Sequence, residues 1–173
     1  MLRIPPRLLD KARRGDPDAQ CRLADRLMAQ EKPATYRRAI PWLRRSASQG
    51  TPWAAYHLGL IYDHGLGVRQ SRGAAARWYE RAAKAGYDSA QLNLGIILAN
   101  RPGRKRDLTR AARLYRQAAS QGNRNAAYNL GLYYERGRGV RRNLKLARRW
   151  YGTAARAGDR DARRALAKLR RSA

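Results

Sequence analysis

The chain has 173 residues, a formal net charge of +27 and 43% hydrophobic residues. This length suits one domain with its own core, and the charge predicts that the folded protein attracts anions. The single cysteine, Cys21, excludes an intrachain disulfide and a Cys-x-x-Cys metal or redox pair, so we expect a buried and inert thiol.

The N-terminal sequence MLRIPPRLLDKARRGD carries charges and two prolines where a signal peptide needs a continuous apolar segment. Nowhere does the chain contain about 18 uninterrupted apolar residues, which is the length that a membrane-spanning helix requires. We therefore expect a soluble cytoplasmic protein.

Similar sequence segments recur along the chain at an interval of 36 residues, as shown by the column Gly50, Gly86, Gly122 and Gly158. The same interval connects two further columns, which are Ala54, Ala90, Ala126 and Ala162, and Leu58, Leu94, Leu130 and Leu166. In chain order, these columns predict a half-repeat over 1–15, repeats over about 16–50, 51–86, 87–122 and 123–158, and a capping helix over 159–173. We expect these elements to form a single repeat domain.

Each repeat is predicted to contain two helices. Ala54, Leu58 and Ile61 are spaced along one face of a first helix, and Ala75 and Tyr79 along one face of a second. The second helix ends at the glycine of the column, where the left-handed conformation suits a helix end. A residue that can cap the next helix follows: Asp16, Thr51, Asn123 or Asp159.

A glycine lies in the middle of the first helix of three repeats, at Gly59, Gly95 and Gly131. Because glycine at such a position costs about 1 kcal/mol relative to alanine, we expect a close approach of the helices to compensate. Alanine pairs of the second helix, such as Ala82-Ala83, offer a facing surface. The pattern predicts an all-α fold, an α-solenoid of stacked antiparallel helical hairpins.

Two repeats contain the segments AAYHLGLIYDHGLGVRQ and AAYNLGLYYERGRGVRR. These segments resemble Sel1-like repeats, which are relatives of the tetratricopeptide repeats with a longer loop that carries Gly-x-Gly-Val. The resemblance covers nearly the whole chain. It implies that Gly65-Leu66-Gly67-Val68 is a turn between helices, with glycines at positive φ. It also implies an adaptor in bacterial signalling, secretion or assembly, or an inhibitor or immunity protein of a toxin.

His57, His64 and Asp63 are the residues that most suggest metal binding or acid–base catalysis. The other repeats carry asparagine or arginine at the two histidine positions, as expected for variable polar surface, and no third ligand or nucleophile has a characteristic spacing. A dinucleotide-binding loop would need a preceding strand, which the sequence does not predict. We therefore expect no enzyme, no cofactor, no metal and no small-molecule substrate.

Trp42, Trp78 and Trp150 recur at repeat intervals, which favours a role in the core over one as stacking platforms for bases. Trp53 has Ser89 as its equivalent in the next repeat, so the repeat architecture does not require a large ring there. Trp53 is therefore the better candidate for contact with a partner.

The resemblance to tetratricopeptide-like arrays implies that the first helices line a concave groove, here named the first-helix groove. Its residues would be Trp53, Tyr56, Leu60, Asp63, His64, Leu92, Ile96, Asn100, Tyr128, Leu132 and Arg136. Apolar anchors beside polar groups suit the binding of a peptide or a protein surface. About half of these residues are expected to pack between helices instead.

Positive charge is concentrated in the last part of the chain, because residues 101–173 contain 22 Lys/Arg and 4 Asp/Glu. Many of these basic residues occupy equivalent loop and second-helix positions, which stacking would bring together as a basic ridge. The predicted ridge comprises Arg77, Arg104, Lys105, Arg106, Arg110, Arg113, Arg116, Arg141, Arg142, Lys145, Arg148 and Arg149.

Three interpretations of the basic ridge stay open. It is a solvated surface, since charge runs usually face solvent, or it binds an acidic protein through arginine forks on carboxylates. Alternatively, it binds nucleic acid or an anionic lipid surface through counterion release. No nucleic-acid-binding motif accompanies the ridge. We therefore favour a non-catalytic scaffold or adaptor that binds an acidic protein, with sequence-independent nucleic-acid binding as the alternative.

Overall fold

The computed structural model describes residues 4–101 and 105–171, without the side chains of Lys105, Arg106 and Arg170. These residues form ten α-helices and no strand, which confirms the all-α prediction. The helices are α1 (Pro6–Arg13), α2 (Pro17–Met28), α3 (Pro33–Ser48), α4 (Pro52–His64), α5 (Arg72–Lys84), α6 (Asp88–Ala99), α7 (Lys105–Ser120), α8 (Arg124–Arg136), α9 (Leu144–Arg156) and α10 (Arg160–Arg171).

Contacts between the helices divide the chain into two compact units, Met1–Tyr87 and Asp88–Ala173. In the first unit, α2 packs on α3 and α4 packs on α5, while α3 and α4 join the two hairpins. In the second unit, α6 packs on α7 and α8 on α9, and α10 covers α9. Within the described residues, no helix combines the length and the apolar character needed to cross a bilayer.

The repeat columns form the core of each unit. The alanines at the start of each first helix are fully buried, since Ala54, Ala90, Ala126 and Ala162 all have 0% exposure. The leucines four residues further along, Leu58, Leu94 and Leu130, are also buried. The column of tyrosines Tyr79, Tyr115 and Tyr151 is buried beside them, because each ring packs against the facing first helix.

The mid-helix glycines allow a close approach, but the contacting group differs from the expected alanine pairs. A Cβ atom added to Gly131 would lie 2.5 Å from Cδ1 of Tyr151, and one added to Gly95 would lie 2.6 Å from Cε1 of Tyr115. Gly59 meets the ring of Tyr79 in the same way. Each glycine therefore makes room for an aromatic ring of the second helix in its own hairpin.

The Gly-x-Gly loops are turns with glycines at positive φ, as the resemblance implied. Gly137 ends α8 in the left-handed conformation at φ 66°, and Gly139 has the same φ. The loop packs closely on the start of α7, since a Cβ on Gly139 would lie 2.6 Å from the backbone N of Thr109. The loop thus joins α8 to α9 and also contacts the preceding second helix.

Side-chain caps fix the starts of several helices. Asp16 and Asn123 accept hydrogen bonds from the backbone N–H groups of Ala19 and Ala126, at 2.7 and 3.0 Å. Thr51 makes no such side-chain bond, contrary to expectation. Pro52 follows Thr51 at the first helical position, where proline is favourable because its missing N–H needs no partner.

Candidate partner-binding surfaces

Trp53 lies in an open pocket of the first unit. The half-buried indole shares this cavity of about 490 Å³ with Thr51, which precedes α4, and with four residues of α2, namely Asp18, Cys21, Arg22 and Asp25. The pocket therefore lies between two successive first helices, α2 and α4. It places two carboxylates near the aromatic ring.

Cys21 is half-buried at this pocket, and not fully buried as the sequence suggested. Its Sγ lies 3.1 Å from Oγ of Ser46. Burial raises the pKa of the Cys21 thiol, and the hydrogen bond to Ser46 opposes this rise. The thiol is thus less ionised than a free cysteine, which makes it a weak nucleophile.

His57 supports Trp53 from the next turn of α4. The two ring centroids are 3.9 Å apart, and the ring of Tyr56 lies at 5.3 Å from that of His57. Burial lowers the pKa of His57, although the carboxylate of Asp25 opposes this shift. A largely neutral imidazole therefore packs beneath the indole, where the charged form would be poorly solvated.

We expect His57→Asn to remove a pH-dependent loss of stability. Because the folded pKa is lowered, the unfolded chain binds a proton first as pH falls below about 6.5, and this weakens the wild type. Asn93 and Asn129 occupy the equivalent positions, so the repeat accepts this substitution. Denaturant unfolding at pH 7.5 and at pH 5 measures the difference between the two proteins.

Between pH 7.5 and pH 5, the free energy of unfolding should fall more in the wild type than in His57→Asn. An equal loss in both proteins would contradict the assignment of the shift to His57.

The remaining groove residues of the first unit divide between packing and exposure. Tyr56 contacts the rings of Tyr79 and Tyr87, with centroids 5.9 and 4.9 Å apart, and Leu60 is half-buried. Asp63 accepts a hydrogen bond of 3.5 Å from the hydroxyl of Tyr79, which connects α4 to α5. The exposed member of this set is His64.

The groove residues of the second unit divide in the same way. Leu92 is buried with 8% exposure, whereas Ile96 is 40% exposed and Asn100 is also exposed. Tyr128 packs against the ring of Tyr151 at a centroid distance of 5.7 Å, and Leu132 is half-buried. Arg136 is exposed at the end of α8. Ile96, Asn100 and Arg136 are therefore the members that a partner could reach most directly.

The three periodic tryptophans, Trp42, Trp78 and Trp150, are half-buried, while the fully buried aromatic column consists of tyrosines. Trp42 lies beneath the guanidinium of Arg45, whose Cζ is 5.1 Å from the ring centroid. The core role that periodicity favoured thus belongs mainly to the tyrosines.

Most predicted ridge residues within the described part are exposed. In the second unit these are Arg110, Arg113, Arg116, Arg141, Arg142, Lys145 and Arg149. Arg148 differs, because it is half-buried and its Nη2 donates to the carbonyl of Leu169 at 2.8 Å. Arg77 is exposed on α5 in the first unit. Arg104 lies outside the described residues, as do the side chains of Lys105 and Arg106.

Each of the four acidic residues of the segment 101–173 has a local interaction with a neighbouring group. Asp107 lies 3.9 Å from Arg101, and Asp161 lies 3.6 Å from Arg164. The carboxylate of Glu135 accepts a hydrogen bond of 2.5 Å from the Tyr151 hydroxyl. Burial raises the pKa of Tyr151, and this hydrogen bond raises it further. Asp159 caps α10 by accepting from the backbone N–H of Ala162 at 2.8 Å.

As a result, Arg113, Arg116 and Arg149 form no ion pair with any described residue. Exposed arginines without carboxylates nearby produce an uncompensated positive potential, which acts on anions beyond contact distance.

An arginine–tyrosine pair that the sequence pattern does not predict occurs in both units. In the first unit, Nη2 of Arg44 donates to the hydroxyl of Tyr62 at 2.7 Å. In the second unit, Nη2 of Arg116 donates to the hydroxyl of Tyr134. Both residues of the second pair lie 72 residues after those of the first, which is two repeat intervals. The 36-residue columns conceal this relation, because the positions one interval after Arg44 and Tyr62 hold Glu80 and Leu98.

Each arginine–tyrosine pair lies in an open groove between successive second helices. The first groove has a volume of about 510 Å³ and is lined by Arg44, Tyr62, Ala74, Arg77, Trp78 and Arg81. The second has a volume of about 530 Å³ and is lined by Arg116, Tyr134, Val140, Arg141, Arg142, Asn143 and Leu146. We name the second one the Arg116 groove.

The residues suspected of metal binding do not form a cluster. Within 4–101 and 105–171, no group of three or more histidine, cysteine or acidic side chains is arranged to hold a metal ion.

The chain is similar to several proteins of known structure. A protective antigen present in uropathogenic Escherichia coli strains is 34% identical with a TM-score of 0.83, and the match covers 92% of this chain and 35% of that protein. A Sel1 repeat protein from Oxalobacter formigenes is 32% identical with a TM-score of 0.81, over 94% of this chain and 48% of that protein. The chain thus spans less than half the length of either relative.

Cysteine rich protein B of Helicobacter pylori shares the fold at 24% identity and a TM-score of 0.52, over 69% of this chain and 91% of that protein. The comparison with curated protein sequences found no match. The Sel1 repeat profile matches residues 17–51, 54–87, 88–123 and 124–159. Because these four matches cover most of its length, the chain belongs to the Sel1 repeat family.

Proposed function

We propose that the protein is a non-catalytic cytoplasmic scaffold that binds an acidic protein partner through the basic ridge and the first-helix groove. Sel1 repeat proteins generally mediate protein–protein interactions. The observation that carries the proposal is that the exposed side chains of Arg113, Arg116 and Arg149, on α7 and α9, form no ion pair with any described residue.

Uncompensated arginines favour an acidic partner in two ways. Their combined potential steers an oppositely charged protein into contact and raises the association rate. Each guanidinium can then form paired hydrogen bonds with a carboxylate, which fixes the orientation of the bound protein. A surface of lysines would steer the partner equally well but could not form the paired hydrogen bonds with a carboxylate.

The first-helix groove contributes a different chemistry. Its pocket at Trp53 carries the carboxylates of Asp18 and Asp25, so it does not favour the acidic part of a partner. We assign to this pocket an apolar or basic side chain of the partner, which the indole ring can hold by burial or by a cation–π contact. The acidic part is assigned to the ridge.

Sequence-independent nucleic-acid binding is the alternative, and the concentration of 22 basic residues in 101–173 favours it. Isolation of the protein from cell extract at low salt, with and without nuclease, tests the two functions against each other. Retention of one acidic protein after nuclease treatment supports the scaffold. Co-purified nucleic acid that dissociates steeply as salt rises, with no retained protein, contradicts it.

Charge reversal on the ridge, Arg113→Glu with Arg149→Glu, is expected to slow association with the retained acidic protein by about tenfold or more. The effect should appear in the association rate, because both residues are exposed and act through the long-range potential. Surface plasmon resonance at several salt concentrations measures the rate.

The matched control is Arg124→Glu with Arg160→Glu, which changes the net charge equally. These residues begin α8 and α10, where a carboxylate is compatible with the helix dipole. Equal slowing by both pairs would show that only net charge matters, and would remove the ridge as a defined site. Trp53→Ala tests the groove separately, since unchanged affinity would exclude the pocket at Trp53.

A further inference from the structure

The Arg116 groove combines fixed guanidinium groups with apolar walls. Nη2 of Arg116 donates to the hydroxyl of Tyr134, which is only 7% exposed and therefore holds a defined position. Nε of Arg142 donates to the backbone carbonyl of Glu135 at 3.1 Å. Two arginines of the groove are thus oriented by the protein itself.

Most N–H donors of Arg116 and Arg142 stay available to a ligand after these hydrogen bonds are formed. A guanidinium has five N–H donors in a planar fork, and each of these bonds uses one of them. Because the arginines are already positioned, less side-chain entropy is lost when an oxyanion binds. Such an arrangement suits bidentate hydrogen bonding to a carboxylate.

The lining of the groove contains three arginines and no carboxylate. The nearest acidic residue in sequence, Glu135, accepts a hydrogen bond from Tyr151. The positive charge of the groove is therefore not neutralised by its own residues, and an anionic ligand would gain from entering it.

The apolar part of the lining favours a protein segment over a nucleic acid. Val140 and Leu146 contribute aliphatic surface beside the arginines. An acidic peptide with interspersed aliphatic residues matches both properties, because its carboxylates reach the guanidinium groups while its apolar side chains cover Val140 and Leu146. A phosphate backbone would meet the arginines but leave the aliphatic surface uncovered.

The recurrence of the arrangement supports a binding role. The first unit repeats the donor and the acceptor as Arg44 and Tyr62, and places Arg77 and Arg81 in the same groove. An isolated surface arginine rarely keeps one geometry, since exposed contacts contribute little energy. Here the same hydrogen bond occurs twice, between the same structural positions.

We propose that the Arg116 groove binds the carboxylate side chains of an acidic, partly aliphatic segment of a protein partner. This inference rests on the proposed scaffold function and names the place of contact within it. The groove lies between second helices, and is distinct from the first-helix groove that the repeat architecture suggested.

The test uses a fluorescein-labelled dodecapeptide of alternating glutamate and leucine, with fluorescence anisotropy at physiological ionic strength. Arg116→Gln should raise the Kd by about tenfold or more, because the hydrogen bonds to a charged group are lost. Arg116→Lys should lose most of the affinity as well, since lysine keeps the charge without the fork. Circular dichroism checks that both variants remain folded.

Arg124→Gln is the matched control, because it removes the same charge from an exposed position of the second unit that lies outside the groove lining and outside the basic ridge. It should change the Kd by less than about twofold. Equal weakening by Arg124→Gln and Arg116→Gln, or full affinity in Arg116→Lys, would overturn the inference. Failure of the peptide to bind the wild type would also overturn it.

A labelled oligothymidylate of the same length identifies the competing ligand class. Tighter binding of the oligonucleotide than of the peptide, with equal loss in Arg116→Gln, would make the groove a phosphate site and contradict the proposal. If the ridge reversal slows capture of the acidic partner while Arg116→Gln has no effect, the scaffold function stands and the groove assignment fails.

Discussion

Replacement of Gly131 by alanine is expected to lower the free energy of unfolding by about 2 kcal/mol, although alanine is the better helix former. The added Cβ would lie 2.5 and 2.6 Å from Cδ1 and Cε1 of Tyr151, well inside van der Waals contact. Tyr151 is fully buried and its hydroxyl is bonded to Glu135, so the ring has little freedom to move away. Thermal unfolding should show a fall in Tm of about 4–8 °C for a chain of this size.

Gly152→Ala provides the control within the same hairpin. Gly152 lies inside α9, and a Cβ there would meet only Nη1 of Arg156 at 3.6 Å, which is ordinary contact. This substitution should stabilise the protein by up to about 1 kcal/mol through helix propensity. If Gly131→Ala lowers the free energy of unfolding and Gly152→Ala raises it, contact with the tyrosine ring, and not the helix propensity of glycine, determines the change in stability. Stabilisation by Gly131→Ala would contradict the packing.

Replacement of Gly139 by alanine is expected to cost about 3 kcal/mol. Two costs add. Alanine has backbone strain at φ 66°, and its Cβ would clash with α7, because it would lie 2.6 Å from the backbone N of Thr109. The backbone of α7 cannot rotate away as a side chain could. Urea unfolding followed by circular dichroism measures the loss.

Gly137→Ala separates the two costs. Gly137 has the same φ of 66°, but a Cβ there would lie 3.4 Å from the nearest atoms of Arg142. Gly137→Ala therefore has the backbone strain but no severe clash, so we expect it to lower the free energy of unfolding by about 1 kcal/mol. Equal costs at both glycines would mean that the loop does not press on α7.

The repeat architecture was predictable because each repeat applies the same packing constraints. A buried alanine such as Ala126 can be read from sequence, since no other residue occupies the column. The contact between Gly131 and Tyr151 was not predictable, although both columns were recognised. Which helix face meets a mid-helix glycine depends on the crossing of the two helices, and periodicity alone does not determine it.

The candidate surfaces were less predictable than the fold. Exposure of Arg113 and Arg149 followed from their helical positions, but the role of Arg148 in bonding to Leu169 did not, because it depends on where α10 packs. The pairing of Arg116 with Tyr134 depends on contact between α7 and α8. A search at intervals of 72 residues would have revealed the recurrence of both residues, but not the hydrogen bond between them.

The doubled interval has a consequence for lengthening the array by design. Arg44 and Tyr62 return as Arg116 and Tyr134 only after two intervals, because the positions one interval along hold Glu80 and Leu98. Insertion of a copy of one 36-residue repeat would therefore add a helical hairpin. Which repeat is copied would determine whether the arginine–tyrosine pair is duplicated or omitted. Copying two adjacent repeats preserves the alternation. Two adjacent repeats are therefore the smallest unit of sequence whose duplication keeps the helical hairpins and the spacing of the arginine–tyrosine pairs.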